Sequence, residues 1–159
     1  MADAGTEPAA SPVGSASATH VGGGRRPVSD VIGEPPVPDS PNEVELTRDL
    51  TAPRAARGWV TQQFGAELSE ATLATAKLLL SELVSNAVLH GEGAITLRAL
   101  LERDRFFAEV IDEGHGFSWT PPKPARQPIG GWGLTVVAGE SDRWGIYEGT
   151  THVWFELKL

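Results

Sequence analysis

The sequence predicts an α/β domain, a two-layer α+β sandwich in which a mixed, mostly antiparallel sheet carries helices on one face. Three observations lead there. Around "LLLSELVSNAVLHG" apolar residues recur every three and four positions, the period of a helix with a buried face. "THVWFELKL" places Val153, Phe155, Leu157 and Leu159 at every second position, the period of one apolar face of a strand. "AITLRALLERDRFFAEVIDEG" has β-branched residues at both ends around a charged "ERDR", which favours a hairpin over the helix that propensity alone would allow.

The elements follow in order. Residues 1–42 are rich in Gly, Pro, Ala and Ser and contain no aromatic residue, so they bury too little apolar surface to offset chain entropy. They are read as a disordered tail before a domain spanning 43–159. "VELTRDL" is the first strand. Pro53 starts a helix running to about Gly65, with Ala55, Ala56, Trp59, Val60 and Phe64 as its buried stripe. Ser69 caps the next helix and Glu70 places a negative charge in its first turn. That helix runs to His90, stops at Gly91, and buries Leu73, Ala76, Leu80, Leu83 and Ala87. The hairpin spans 94–102 and 105–112. A proline-dense loop, "FSWTPPKPARQPI", leads to a short helix, "GWGLTVVAGE". The chain closes with "DRWGIY", a turn at Glu148-Gly149, and a strand in which Val153, Phe155, Leu157 and Leu159 share one face.

The net charge of −8 and pI near 4.9 argue against direct nucleic-acid binding, which rests on basic patches facing phosphate. A small anion held by backbone N–H groups and a metal stays compatible with that charge. With no cysteine, disulfides and thiolate metal sites are excluded. No apolar run long enough to cross a bilayer is expected, and "MADAGTEPAASP" lacks the basic and apolar regions of a signal peptide. The expectation is a cytoplasmic protein with no membrane partner.

Three polar residues stand out on the long helix. Glu82, Asn86 and His90 are spaced four apart and so lie along one side. Asn86 offers a neutral oxygen to Mg²⁺, and the carboxylate of Glu82, one turn away, can take a proton from an attacking hydroxyl or water. His90, in the last turn, reads as a C-terminal dipole or capping residue rather than a ligand. Asp112 opens "DEGHGF", where Gly114 and Gly116 let backbone approach a ligand. An Asp there can accept a hydrogen bond from an exocyclic amine such as that of adenine, although the stretch alone reads more readily as an Asp-Gly turn. "GGWGLTVV" places Gly130, Gly131 and Gly133 at the mouth of a helix, an arrangement that suits phosphate and equally suits a simple helix cap.

Taken together and in order, E-x-x-x-N on a helix, then D-x-G-x-G, then G-x-G at a helix start resemble the nucleotide-binding boxes of the GHKL ATPase superfamily, with its Bergerat ATP-binding fold. The compact run of "SELVSNAVLHG", "DEGHGF", "GGWGLTVV" and the C-terminal hairpin is similar, over about three quarters of the chain, to bacterial anti-sigma-factor serine/threonine kinases. The resemblance implies that Asn86 coordinates Mg²⁺ and that Glu82 is the general base. It implies that Asp112 reads the adenine amino group, with Gly114 and Gly116 lining the base pocket, and that Gly130, Gly131 and Gly133 bind phosphate. It implies ATP and Mg²⁺ as cofactors and a kinase transferring the γ-phosphate to a partner of the anti-anti-sigma type. Sigma-factor sequestration and a homodimer are further expectations from it. The loop between the glycine boxes is short and carries Pro121, Pro122, Pro124 and Pro128, and its Lys123 and Arg126 read as solvated cations. The alternative is a nucleotide-binding interaction module, a sigma-factor sequestering protein or scaffold without kinase activity. A histidine kinase's ATPase module is disfavoured, because the segment upstream of Val44 offers no histidine-bearing helix.

Overall fold

A computed structural model describes residues 41–116, 132–147 and 151–159. Its elements are β1 (Asn42–Leu46), α1 (Ala52–Phe64), α2 (Glu70–His90), β2 (Ile95–Leu101), β3 (Arg105–Ile111), α3 (Gly133–Glu140), β4 (Arg143–Ile146) and β5 (Val153–Lys158). The strands form one sheet in the order β1-β2-β3-β5-β4, and every pairing among the described residues is antiparallel, where a mixed, mostly antiparallel sheet was expected. The turn at Glu148-Gly149 and the proline-dense loop fall outside the described residues.

The two faces of the sheet follow from strand alternation. In register, Ala99, Ala108 and Phe155 stand side by side and belong to the core with Leu97, Phe106 and Leu157. Their neighbours along the strands point the other way. Arg98, Glu109, Trp154 and Gly145 line up across four strands of that second face. There Glu43, Arg98 and Glu109 form one chain of ion pairs, and Glu102, Arg105, Glu156 and Arg143 form another. Phe107 and Trp154 stack between them, ring centroids 6.2 Å apart.

The helices cover the core face. Proline in the first turn starts α1, and Gly65 ends it. The buried residues of α1 are Ala52, Ala56, Val60 and Phe64, a single row at spacing four. Ala55, expected in that stripe, is exposed, because α1 packs on α2 and β1 along a narrow line. Ser69 caps α2 by accepting from the Thr72 N–H at 3.1 Å. Because α2 touches α1, α3 and strands β2, β3 and β5, its buried face is wide and takes in Leu79 and Val84 beyond the expected row. Leu73 is half-buried at its edge. By length and composition alone α2 is also long and apolar enough to cross a membrane, a test that the core helix of a globular domain passes as well. In this fold one side of α2, from Ala76 to Ala87, is the core contact while Leu78 and Leu89 stay exposed, and the same packing fixes which way Glu82 and Asn86 point.

Candidate functional site

The site is built around the second half of α2. Leu83 and Ala87 face the core, so Glu82 and Asn86, one position back from each, fall at its margin and are half-buried. Neither side chain has a hydrogen-bond or ion-pair partner among the described residues. A carboxylate and a carboxamide held at a half-buried margin with their donors and acceptors unused are groups available to a ligand. Opposite them, α3 begins. A side-chain carbon added at Gly133 would stand 2.8 Å from Asn86 Nδ2 and 3.1 Å from Glu82 Oε2. The absence of a side chain there is what lets the first turn of α3, with its unpaired N–H groups, lie directly against both residues.

A cavity of about 400 Å³ opens beside this contact. Leu83, Val110, Leu134 and Val153 give it apolar walls, and Asn86, Asp112 and Gly116 are among its polar and backbone lining. Asp112 follows the end of β3. Its Oδ1 accepts from the Gly114 N–H at 2.8 Å and from the Glu92 N–H at 3.2 Å, while Oδ2 takes no hydrogen bond among the described residues. One carboxylate oxygen is therefore anchored by two backbone donors, and the other, packed against Gly91, keeps its acceptor capacity on a residue that lines the cavity. Gly116 has φ 89°, a left-handed conformation that suits glycine. At Gly114 an added carbon would stand 2.9 Å from Asp112 Oδ1 and 3.0 Å from Thr151 Cγ2, so this glycine permits the tight turn around the carboxylate.

The structure thus brings Glu82, Asn86 and Gly133 into one contact, and Asn86, Asp112 and Gly116 into one cavity, with Gly114 against Asp112. Gly130 and Gly131 lie outside the described residues. His90 stands in the last turn of α2, as a dipole role requires, but the capping role falls to another residue. His90 is exposed and lines the cavity, and Arg48 donates to the Ala87 carbonyl in the last turn of α2. Thr151 is a second residue that sequence reasoning missed. It lines the cavity, and its hydroxyl donates to the Asp112 carbonyl at 2.7 Å. Neither Arg48 nor Thr151 sits in a residue pattern that would have marked it. Beside Thr151, burial first and Arg98 second push the His152 imidazole below its ordinary value, with Asp112 pulling the other way.

The arrangement can accept an exocyclic amine at Asp112 Oδ2, cover an apolar ring with its walls, and meet an anion where α3 begins. Asn86 and Glu82 fit a hard cation that arrives with phosphate oxygens, since such an ion needs few protein ligands. Among the described residues no group of three or more His, Asp or Glu forms an independent metal cage.

A family profile described as a histidine kinase-like ATPase domain matches residues 46–157. No curated protein matches the sequence. Among solved structures, the RsbU and RsbW domains of Rv1364c from Mycobacterium tuberculosis superpose with a TM-score of 0.55 at 23% identity, over 76% of this chain and 32% of that one. That likeness is one of fold, and this chain spans about a third of the neighbour's length.

Proposed function

This chain belongs to the histidine kinase-like ATPase family, and from that premise we propose that it binds ATP with Mg²⁺ in the cavity beside α2 and is an anti-sigma-factor-like regulator. We further propose that it transfers the γ-phosphate to a serine or threonine of a protein partner of the anti-anti-sigma type. One observation carries the nucleotide reading: unpartnered Glu82 and Asn86 meet the start of α3 beside the same cavity that Asp112 lines, its Oδ2 keeping its acceptor capacity. The partner class rests on the resemblance of the sequence boxes to anti-sigma-factor kinases, and the fold likeness to a structure containing an RsbW domain agrees with it.

In this reading Asp112 Oδ2 accepts the amino group of the base, and the apolar walls hold the ring. Gly130, Gly131 and Gly133 contribute backbone N–H groups to the phosphates. Asn86 holds Mg²⁺, which when bound neutralises phosphate charge. Glu82 takes the proton of the attacking hydroxyl as its oxygen bonds to the γ-phosphorus, the bond to the β–γ bridging oxygen breaks, and ADP leaves.

A calorimetric titration with ATP, with and without Mg²⁺, tests this on the wild type and on Asp112→Asn. The expected result is Mg²⁺-dependent binding that Asp112→Asn weakens, whereas no binding at millimolar ATP overturns the nucleotide reading. Glu82→Ala is expected to keep ATP binding and to lose transfer to an anti-anti-sigma partner. Full transfer by that variant would remove Glu82 as the base.

A further inference from the structure

We infer that Arg48, in the connection between β1 and α1, is the positioning residue for the carboxylate that reads the base, an inference that rests on the nucleotide reading above. A guanidinium presents its N–H donors in a planar fork. Arg48 spends that fork on three backbone carbonyls: Nε donates to Gly93 at 2.7 Å, Nη2 to Glu92 at 2.6 Å, and Nη1 to Ala87. It has no carboxylate partner among the described residues. The three carbonyls belong to the last turn of α2 and the connection that leaves it for β2, where the partial negative charge of the helix end favours a cation.

That connection is the seat of Asp112. The Glu92 N–H donates to Asp112 Oδ1 at 3.2 Å, and the Glu92 carbonyl accepts from the Glu113 N–H at 2.9 Å as well as from Arg48. The peptide groups of Glu92 are therefore gripped by Arg48 on one side and by residues 112–113 on the other. Gly91 and Gly93 leave no slack. A side-chain carbon at Gly91 would run into the Asp112 carboxylate, and one at Gly93, which has φ 60°, would run into the Glu113 side chain. Residues 91–93 are thus packed onto 112–113 closely enough that moving one moves the other. Arg48 is not among the cavity-lining residues, so it acts through Asp112. It fixes Oδ1 by way of Glu92, and so fixes where Oδ2 faces.

The signature of this role is base selectivity. A fixed carboxylate accepts the amino group of adenine and repels the carbonyl oxygen that guanine carries at the same ring position. A carboxylate that wanders loses that discrimination. A general loosening of the fold would instead weaken both nucleotides together.

Arg48→Met removes the donors and keeps much of the side-chain length, and Arg48→Lys keeps the charge without the fork. Calorimetry with Mg·ATP and Mg·GTP gives the two dissociation constants for the wild type and each variant. Amide hydrogen exchange at Glu92 and Gly114 in the nucleotide-free proteins reads the anchoring of Oδ1 directly. For Arg48→Met we expect ATP to bind about tenfold more weakly, GTP to change by less than about threefold, and both amides to exchange faster. Arg48→Lys is expected to restore less than half of the lost selectivity, and it serves as the test variant if the Met variant does not fold. An undiminished ATP preference, or a parallel loss for both nucleotides, overturns the positioning role. If the wild type binds no ATP, the nucleotide reading fails. The Arg48 anchor is then judged by amide exchange alone, and unchanged exchange at Glu92 and Gly114 overturns it too.

Discussion

Replacing Gly133 by alanine separates the site from the fold that carries it. Gly133 opens α3 without a left-handed φ, so alanine fits the backbone and recovers part of the roughly 1 kcal/mol that glycine costs in a helix. The added methyl has no free space. It would stand 2.8 Å from Asn86 Nδ2 and 3.1 Å from Glu82 Oε2, where ordinary contact begins at 3.4 Å. The carboxamide must therefore give by about 0.6 Å and the carboxylate by about 0.3 Å. A misplacement of about 1 Å at reacting groups costs on the order of 100-fold in rate. Shifts of this size should weaken Mg·ATP binding about tenfold, or about 1.4 kcal/mol, with a larger effect on transfer. Thermal unfolding should meanwhile stay level or move slightly upward. Calorimetry with Mg·ATP and a melting curve on the same samples supply both numbers. A variant that binds Mg·ATP like the wild type but melts several degrees lower would refute the reasoning, since the glycine would then serve packing rather than the site.

Other expectations concern the scaffold. Gly145→Ala places a methyl 2.8–2.9 Å from the Trp154 ring on the second sheet face, and this overpacking should cost about 1–3 kcal/mol in a urea melt while leaving nucleotide affinity unchanged. Equal stability of the two proteins would mean that the tryptophan can move aside freely. Ser69→Ala removes the acceptor for the Thr72 N–H and should cost about 1 kcal/mol in the same assay. Burial pushes the Glu109 carboxyl up, with the Arg98 guanidinium pulling it down. A carboxyl whose folded pKa is raised destabilises the fold when ionised, and that cost is relieved as pH falls through the folded pKa toward the unfolded one. Relative to Glu109→Gln, the wild type should therefore gain stability between pH 7 and about 4.3. A difference that stays flat or moves the other way would show that Arg98 outweighs the burial.

What the sequence disclosed was local. The Ser69 cap, the apolar period and Gly91 bounded α2 because each signal lies within a turn of the residue it governs. The width of its buried face was not disclosed, because Leu79 and Val84 are buried by elements that the helical period does not report. Ala55 errs in the opposite direction for the same reason, since α1 has too few neighbours to bury it. At the site, the spacing of Glu82 and Asn86 and the Asp112 turn were legible as short patterns, and Gly133 is where the structure joins two of them. Arg48 and Thr151 left no pattern to read. Both act on backbone carbonyls from 39 or more residues away, and a carbonyl is present at every position whatever the side chain.

The bond from Thr151 to the Asp112 carbonyl has a consequence for the order in which the protein becomes competent. Asp112 follows β3 directly, but its partner arrives 39 residues later, two positions before β5, and β5 is also the strand that pairs the free side of β3. A nascent chain emerging from the ribosome would already hold Glu82, Asn86 and Asp112 while still lacking one wall of the cavity. On the proposed nucleotide reading, the cavity has its Thr151 and Val153 wall only once β5 has been added, so nucleotide would stabilise chains that already carry that strand. Ligand occupancy would then distinguish molecules with β5 in place from those without it, a discrimination built into the strand order itself.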